Sequence, residues 1–178
     1  MSLDAARMGY WEYDIEEGRV FWSPEMLRLF AVSTFDGDPK TIQSFIHAAD
    51  REKLTAAFEA AVTDRTPLEA EFRVMRGDGQ ERWLANVGRC EYSPAGQPRA
   101  MRGVALDITD RKLGEITAAQ MAAVVQNSGE AIVGMTPDGI VTQWNPAAER
   151  LFGYSAEESI GHEIDGHHGA DAQTAFDT

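Results

Sequence analysis

Apolar and charged residues alternate through residues 68–74 (Leu-Glu-Ala-Glu-Phe-Arg-Val), the period-two pattern of a strand with one buried face. Two further strand candidates cover residues 81–92 and 99–107. Gly77-Asp78-Gly79 and the stretch Ser93-Pro-Ala-Gly-Gln-Pro98 separate the three as hairpin turns, so they read as a meander whose first turn takes its positive-φ residues from the Gly-Asp-Gly run. Upstream the period changes to that of a helix at residues 41–48 and 50–62. In the second of these Leu54, Ala57, Phe58 and Ala61 share a face, with Asp50 at the N-cap position. The chain opens on another strand pair, residues 9–14 and a short strand ending at Trp22, turning at Glu17-Gly18. Two strands, several short helices and three strands predict an α+β domain, a five-stranded antiparallel sheet with helices on one face.

Part of this pattern occurs twice. Residues 22–33 (Trp-Ser-Pro-Glu-Met-Leu-Arg-Leu-Phe-Ala-Val-Ser) align without a gap on residues 144–155 (Trp-Asn-Pro-Ala-Ala-Glu-Arg-Leu-Phe-Gly-Tyr-Ser). Trp22/Trp144, Pro24/Pro146, Arg28/Arg150, Leu29/Leu151, Phe30/Phe152 and Ser33/Ser155 are identical at one constant offset. In each copy a strand ends at tryptophan, Ser23 or Asn145 caps a helix, and proline takes the first helical position, where its missing N–H is not needed. A hairpin turning at Pro137-Asp138-Gly139 precedes the second helix as Glu17-Gly18 precedes the first.

Between the copies, residues 110–127 contain one glycine and no proline, and Leu113, Ile116, Met121 and Val124 fall on one side of a helical wheel. This predicts a linker helix whose start is capped by Asp107 or Thr109. The organisation expected is a complete domain over residues 8–109, the linker helix over 110–127, and the opening part of a second, truncated domain over 128–178. The apolar stripe of so short a helix needs cover, which predicts a homodimer formed through the linker helix and the outer face of the sheet.

Composition narrows the range of partners. Sixteen Lys and Arg against 29 Asp and Glu give a formal charge of −13, which opposes binding to nucleic-acid phosphates or to an anionic membrane surface. A single cysteine, Cys90, offers neither an internal disulfide nor a paired-cysteine metal knuckle, as expected of a cytoplasmic protein. Nothing approaches the roughly 18 consecutive apolar residues of a spanning helix.

Residues 8–115 resemble the PAS family. The resemblance rests on Trp11-Glu-Tyr-Asp14 and Trp22-Ser-Pro-Glu25, on Ile46-His47 with Asp50-Arg51, and on Glu71-Phe-Arg-Val74 with Gly77-Asp-Gly79. It closes on Arg82-Trp83-Leu84 and the run Gly103-Val-Ala-Leu-Asp-Ile-Thr-Asp-Arg-Lys112. Residues 123–164 resemble the start of another such domain, on Asn127-Ser128, Asp138-Gly139, Trp144-Asn145, Ala148-Glu149 and Leu151-Phe-Gly-Tyr-Ser155. Ala48 departs from the proline usual after His47. The resemblance implies a PAS fold and a non-catalytic sensory module of a longer signalling protein, in first place a sensor histidine kinase. A diguanylate cyclase, a transcription activator or a purely structural dimerisation module are the alternatives. It further implies that Asp107, Ile108 and Thr109 relay a signal into the helix towards a C-terminal output domain.

It also implies a pocket between sheet and helices, for which Phe45, Ile46, Leu54, Phe58, Phe72 and Val74 are the candidate wall. No cofactor is expected, although an unidentified small ligand fits the reading. Flavin photochemistry in the family uses cysteine in an Asn-Cys-Arg context on a helix, whereas Cys90 lies on a predicted strand between Arg89 and Glu91. Haem-binding members ligate iron through histidine on the long helix, and residues 50–62 contain none. His47 reads as a loop-closing residue. His162, Glu163, Asp165, His167 and His168 cluster without zinc spacing, so no metal site is expected. Trp11, Trp22 and Trp83 read as core.

Overall fold

The computed structural model describes residues 8–163 and divides into two compact units between Leu113 and Gly114, inside the linker helix. The first unit opens with the hairpin β1 (Met8–Asp14) and β2 (Arg19–Trp22). Helices α1 (Pro24–Phe30) and α2 (Pro39–Phe45), a single 3₁₀ turn (Ala48–Asp50) and α3 (Arg51–Thr63) follow, and β3 (Leu68–Met75), β4 (Glu81–Tyr92) and β5 (Pro98–Asp107) complete it. The strands lie in the order β2-β1-β5-β4-β3, every neighbouring pair antiparallel. Helix α4 (Thr109–Gln126) leads to β6 (Val133–Met135), β7 (Val141–Trp144), α5 (Pro146–Phe152) and α6 (Ala156–Ser159).

Alternation along the strands sends Trp11, Phe72, Val74, Leu84, Met101 and Ala105 to one face, where they bury against Met26, Leu29 and Phe30 of α1 and Ala61 of α3. Each of the larger side chains withdrawn from water contributes roughly 1.5–3 kcal/mol before the entropy of ordering is subtracted. The sheet and its helices therefore share one core.

The two copies of the repeat share more than sequence. Ser23 Oγ accepts the N–H groups of Tyr10 and Met26, at 3.2 and 3.4 Å, and Asn145 Oδ1 accepts those of Ile132 and Ala148, both at 2.9 Å. One side chain thus caps a helix and holds the preceding strand at equivalent positions in both units. Asn145 goes further within its own unit: its Nδ2 donates to the carbonyls of Val125 and Glu130, and the residue is fully buried with its bonds satisfied. The environments differ at Leu29 and Leu151. Leu29 is buried on the five-stranded sheet, whereas Leu151 is 67% exposed in a unit whose described sheet has two strands.

Three local expectations are corrected. Asp50 makes no side-chain cap on α3. Its carboxylate instead accepts the backbone N–H of Arg73 at 2.9 Å and both Nε and Nη2 of the Arg73 guanidinium. Two charge-assisted bonds outcompete a single backbone cap, and with the N–H of His47 bonded to Arg73 O the segment covers the edge of β3. Only Gly79 of the Gly77-Asp78-Gly79 turn has positive φ, and Gly77 is required for space, since a Cβ there would lie 2.6 Å from Ala31 O. Trp83 is not core. It shares the outer face with Arg73 and Lys112, whose charges each sit 5.4 Å from its ring.

The Asp50–Arg73 pair carries a pH signature. Hydrogen bonds from the Arg73 side chain hold the Asp50 carboxyl down at about 2, from an ordinary 3.8. A depressed carboxylate stabilises the fold fully above its unfolded value and ceases to do so as pH falls through the folded one. Asp50→Asn should therefore cost about 1–2 kcal/mol near neutrality, lowering the midpoint of thermal unfolding by several degrees. The gap to the parent should close as pH falls from 3.8 towards 2. Calorimetry across that range checks it, and a gap that stays constant would contradict it.

Candidate functional site

Between the inner face of the sheet and the helices α1 to α3 lies a cavity of about 260 Å³. Its wall is apolar because the strands that face it carry apolar side chains at every second position. Ile46, Leu54, Phe58 and Phe72 line it, as do Trp11, Tyr13, Trp22, Leu84 and Asn86. Phe45 and Val74 are not on the wall. The ring of Phe45 packs edge-on against Phe30 at 5.4 Å and lies tilted to Trp22 at 6.3 Å, while Val74 is fully buried and paired with Ile46 at the sheet edge. Gln43 of α2 and Thr55 of α3 also line the cavity and are exposed, which marks its opening to solvent.

The floor of the cavity depends on two glycines. Gly88 of β4 pairs with Gly103 of β5, and Gly103 with Trp11 of β1. A Cβ on Gly103 would stand 2.5 Å from Trp11 Cζ2 and a Cβ on Gly88 2.9 Å from the same atom, so the indole lies across bare backbone. From there Trp11 Nε1 donates to Asn86 Oδ1 at 2.6 Å. Glycine inside a strand signals such close approach, and Asn86 occupies an inward position two residues from Leu84. Both signals stand in the sequence without identifying Trp11 as the partner.

A second group of side chains sits where β5 becomes α4. Asp107 Oδ1 accepts the Thr109 N–H at 2.9 Å and the Thr109 hydroxyl, satisfying a donor left open at the helix start. Thr109 itself does not cap the helix: its Oγ1 accepts the backbone N–H of Trp83 at 3.0 Å. Ile108 is buried, and its N–H donates to the Trp83 carbonyl at 2.9 Å. The peptide groups of Trp83 are thus held by both residues that begin the helix. Glu71 of β3 adds an anchor, pairing with Arg111 Nη2 and Lys112 Nζ at 2.6 Å each. Hydrogen bonds from Lys112 and then Arg111 hold its carboxyl below the usual range. Farther along α4 the apolar stripe is exposed, at 54% for Leu113, 43% for Ile116, 66% for Met121 and 71% for Val124.

The remaining candidate groups lie elsewhere. Cys90 borders a separate hollow with Arg65 and Tyr92 near the end of β4. His47 Nδ1 accepts the Ala49 N–H at 3.3 Å inside its loop. His162 and Glu163 are exposed, and Asp165, His167 and His168 lie outside the described residues. Among the described residues no group of three or more His, Cys, Asp and Glu side chains could hold a metal ion, and no helix is long and apolar enough to cross a membrane.

The glycine floor makes a direct prediction. Gly103→Ala places a methyl group where the Trp11 indole and the Val87 carbonyl stand, and should cost about 1–3 kcal/mol by overpacking. It should also shift the tryptophan emission as Trp11 leaves Asn86. An unchanged melting midpoint and spectrum would mean that the indole is not held there.

Comparison with known proteins places these features in a family. Two family models, both described as the PAS fold, match residues 19–105 and 119–165, which together span most of the chain. The sensor protein FixL of Bradyrhizobium diazoefficiens is 24% identical over 171 residues, covering 92% of this chain and 34% of FixL. The probable diguanylate cyclase DgcE of Escherichia coli is 23% identical over 166 residues, covering 90% of this chain and 15% of DgcE. The chain thus spans about a third or less of these relatives. A sensory box histidine kinase/response regulator from Burkholderia thailandensis has a crystal structure similar to this one, with a TM-score of 0.60 and 28% identity, covering 71% of this chain and 95% of that one. With the five-stranded antiparallel sheet, its helical face and the repeated strand–cap–helix unit, these matches assign the chain to the PAS family.

Proposed function

We propose that this chain is the sensory input region of a longer signal-transduction protein, in first place a sensor histidine kinase, and that the first domain biases helix α4 through Asp107, Ile108 and Thr109. One observation carries the reading. Leu84 and Asn86 of β4 line the cavity, and the neighbouring residue Trp83 is the one to which the start of α4 is hydrogen-bonded. A change in the cavity therefore has only one residue to cross before it reaches the helix. The FixL relative supports a histidine kinase as the output, and the DgcE relative supports a diguanylate cyclase as the alternative.

The occupant we propose is a small ligand and not a coloured cofactor. The cavity wall holds neither histidine nor cysteine, so it fits neither haem ligation nor flavin–cysteine chemistry. The region acts as a homodimer, supported by the exposed stripe on α4 and by exposed Tyr10, Phe21, Val87 and Leu106 on the sheet's outer face. It carries no catalytic constellation among the described residues and works in the cytoplasm, where its charge of −13 keeps it off nucleic acid and membrane. A purely structural dimerisation role is the rival reading.

Asp107→Ala in the longer protein separates the two. Loss of one helix cap costs about 1 kcal/mol, too little to unfold a domain but enough to shift a balanced two-state joint roughly fivefold. Kinase or cyclase output should change by about that factor, while the domain melts only a few degrees lower. Unchanged output, or a domain that no longer folds, would contradict the relay.

A further inference from the structure

The wall of the cavity has a chemical bias that narrows what it can bind. All of its residues are uncharged. A ligand carrying a full charge would enter this apolar space with no counter-charge and lose its hydration, a cost of several kcal/mol. The occupant is therefore neutral. At about 260 Å³ the space falls just short of the roughly 300–1,000 Å³ of drug-sized sites, which limits the occupant to one or two rings. Trp11, Trp22, Phe30, Phe58 and Phe72 surround it, and aromatic faces and edges favour a planar guest.

The polar groups on the wall sharpen this further. Asn86 uses its Oδ1 to accept from Trp11 Nε1 at 2.6 Å, an assignment fixed by the indole, which can only donate. The amide is thereby oriented, and Nδ2 is left as a donor with two hydrogens and no acceptor among the described residues. The wall thus offers an amide donor that a guest in the cavity can use. A guest made of hydrocarbon alone would bury it unsatisfied, at about 1–3 kcal/mol.

We infer that the cavity takes a small, neutral, planar ligand bearing a hydrogen-bond acceptor such as a carbonyl oxygen, with Asn86 Nδ2 as the donor that reads it. This inference rests on the proposed sensory cavity and adds the class of ligand. It assigns Asn86 a role in specificity, and it makes Trp11 a positioning residue that fixes which end of the amide faces inward.

Acetophenone and ethylbenzene are the probes, being similar in size and differing in the carbonyl; benzoate and benzylammonium supply the charged comparison. Binding to the full chain is followed by tryptophan emission and by nuclear magnetic resonance titration. Acetophenone should bind at least about fivefold more tightly than ethylbenzene, and neither ion should compete. Asn86→Leu should erase the preference for acetophenone while retaining ethylbenzene. Asn86→Asp, which keeps an oxygen for Trp11 but removes the amide N–H groups, should also lose the preference if it folds and Asn86→Leu does not. Equal binding of acetophenone and ethylbenzene to the parent protein would overturn the role of Asn86 and leave the cavity standing, its amide donor being served by water. Binding of either ion as tightly as acetophenone would overturn the neutral class. Binding of no probe at all would overturn both this inference and the ligand-cavity reading beneath it.

Discussion

A pleated strand must present successive residues to opposite faces, and on β4 that constraint joins the whole first domain together. Leu84 and Asn86 face the helices and help to build the cavity, while Trp83 faces outward. The peptide groups of Trp83 then bond to Ile108 and Thr109, so the exit helix starts from the strand that forms the cavity wall. Neither side can be altered without contact with the other. A shift of one residue in the register of β4 would exchange the faces and abolish cavity and joint together.

Around that strand the other parts take defined roles. Gly88 and Gly103 leave bare backbone for the Trp11 indole, which in turn fixes Asn86. The helices supply the roof, and the salt bridge of Asp50 with Arg73 ties the beginning of α3 to the β3 edge. Arg73 also lies over the ring of Trp83, and Lys112 lies over the same ring. Strand β3, itself tied to the start of α3, and the helix that leaves the domain thus meet the same tryptophan through charged side chains.

Much of this is legible in the sequence because it is local. The hairpins, the meander, the linker helix and the strand–cap–helix repeat follow from period, turn residues and caps within a few positions of one another. What remains hidden depends on contacts between distant segments. Asp50 reads as a helix cap until Arg73, 23 residues away, is brought alongside with a stronger offer. Asn86 is visibly a polar residue at an inward position, but its partner Trp11 lies 75 residues away on a strand that reaches it only through β5. Phe45 and Val74 belong to the same apolar set as Phe58 and Phe72. Which of them leave space beside them is decided by packing, for which hydrophobicity alone carries no signal. Thr109 shows the same limit at the joint, where a residue type suited to capping serves the neighbouring strand.

The bonds among Asp107, Thr109 and Trp83 act as a joint and not as a keystone of the fold. Amide hydrogen exchange in Asp107→Ala, residue by residue, tests this most directly. A joint gives faster exchange at Trp83 and through the first turn of α4, with the amides of β1, β3 and the centre of β5 protected as in the parent. Unchanged exchange at Trp83 and Thr109, or acceleration spread evenly over the sheet, would contradict it.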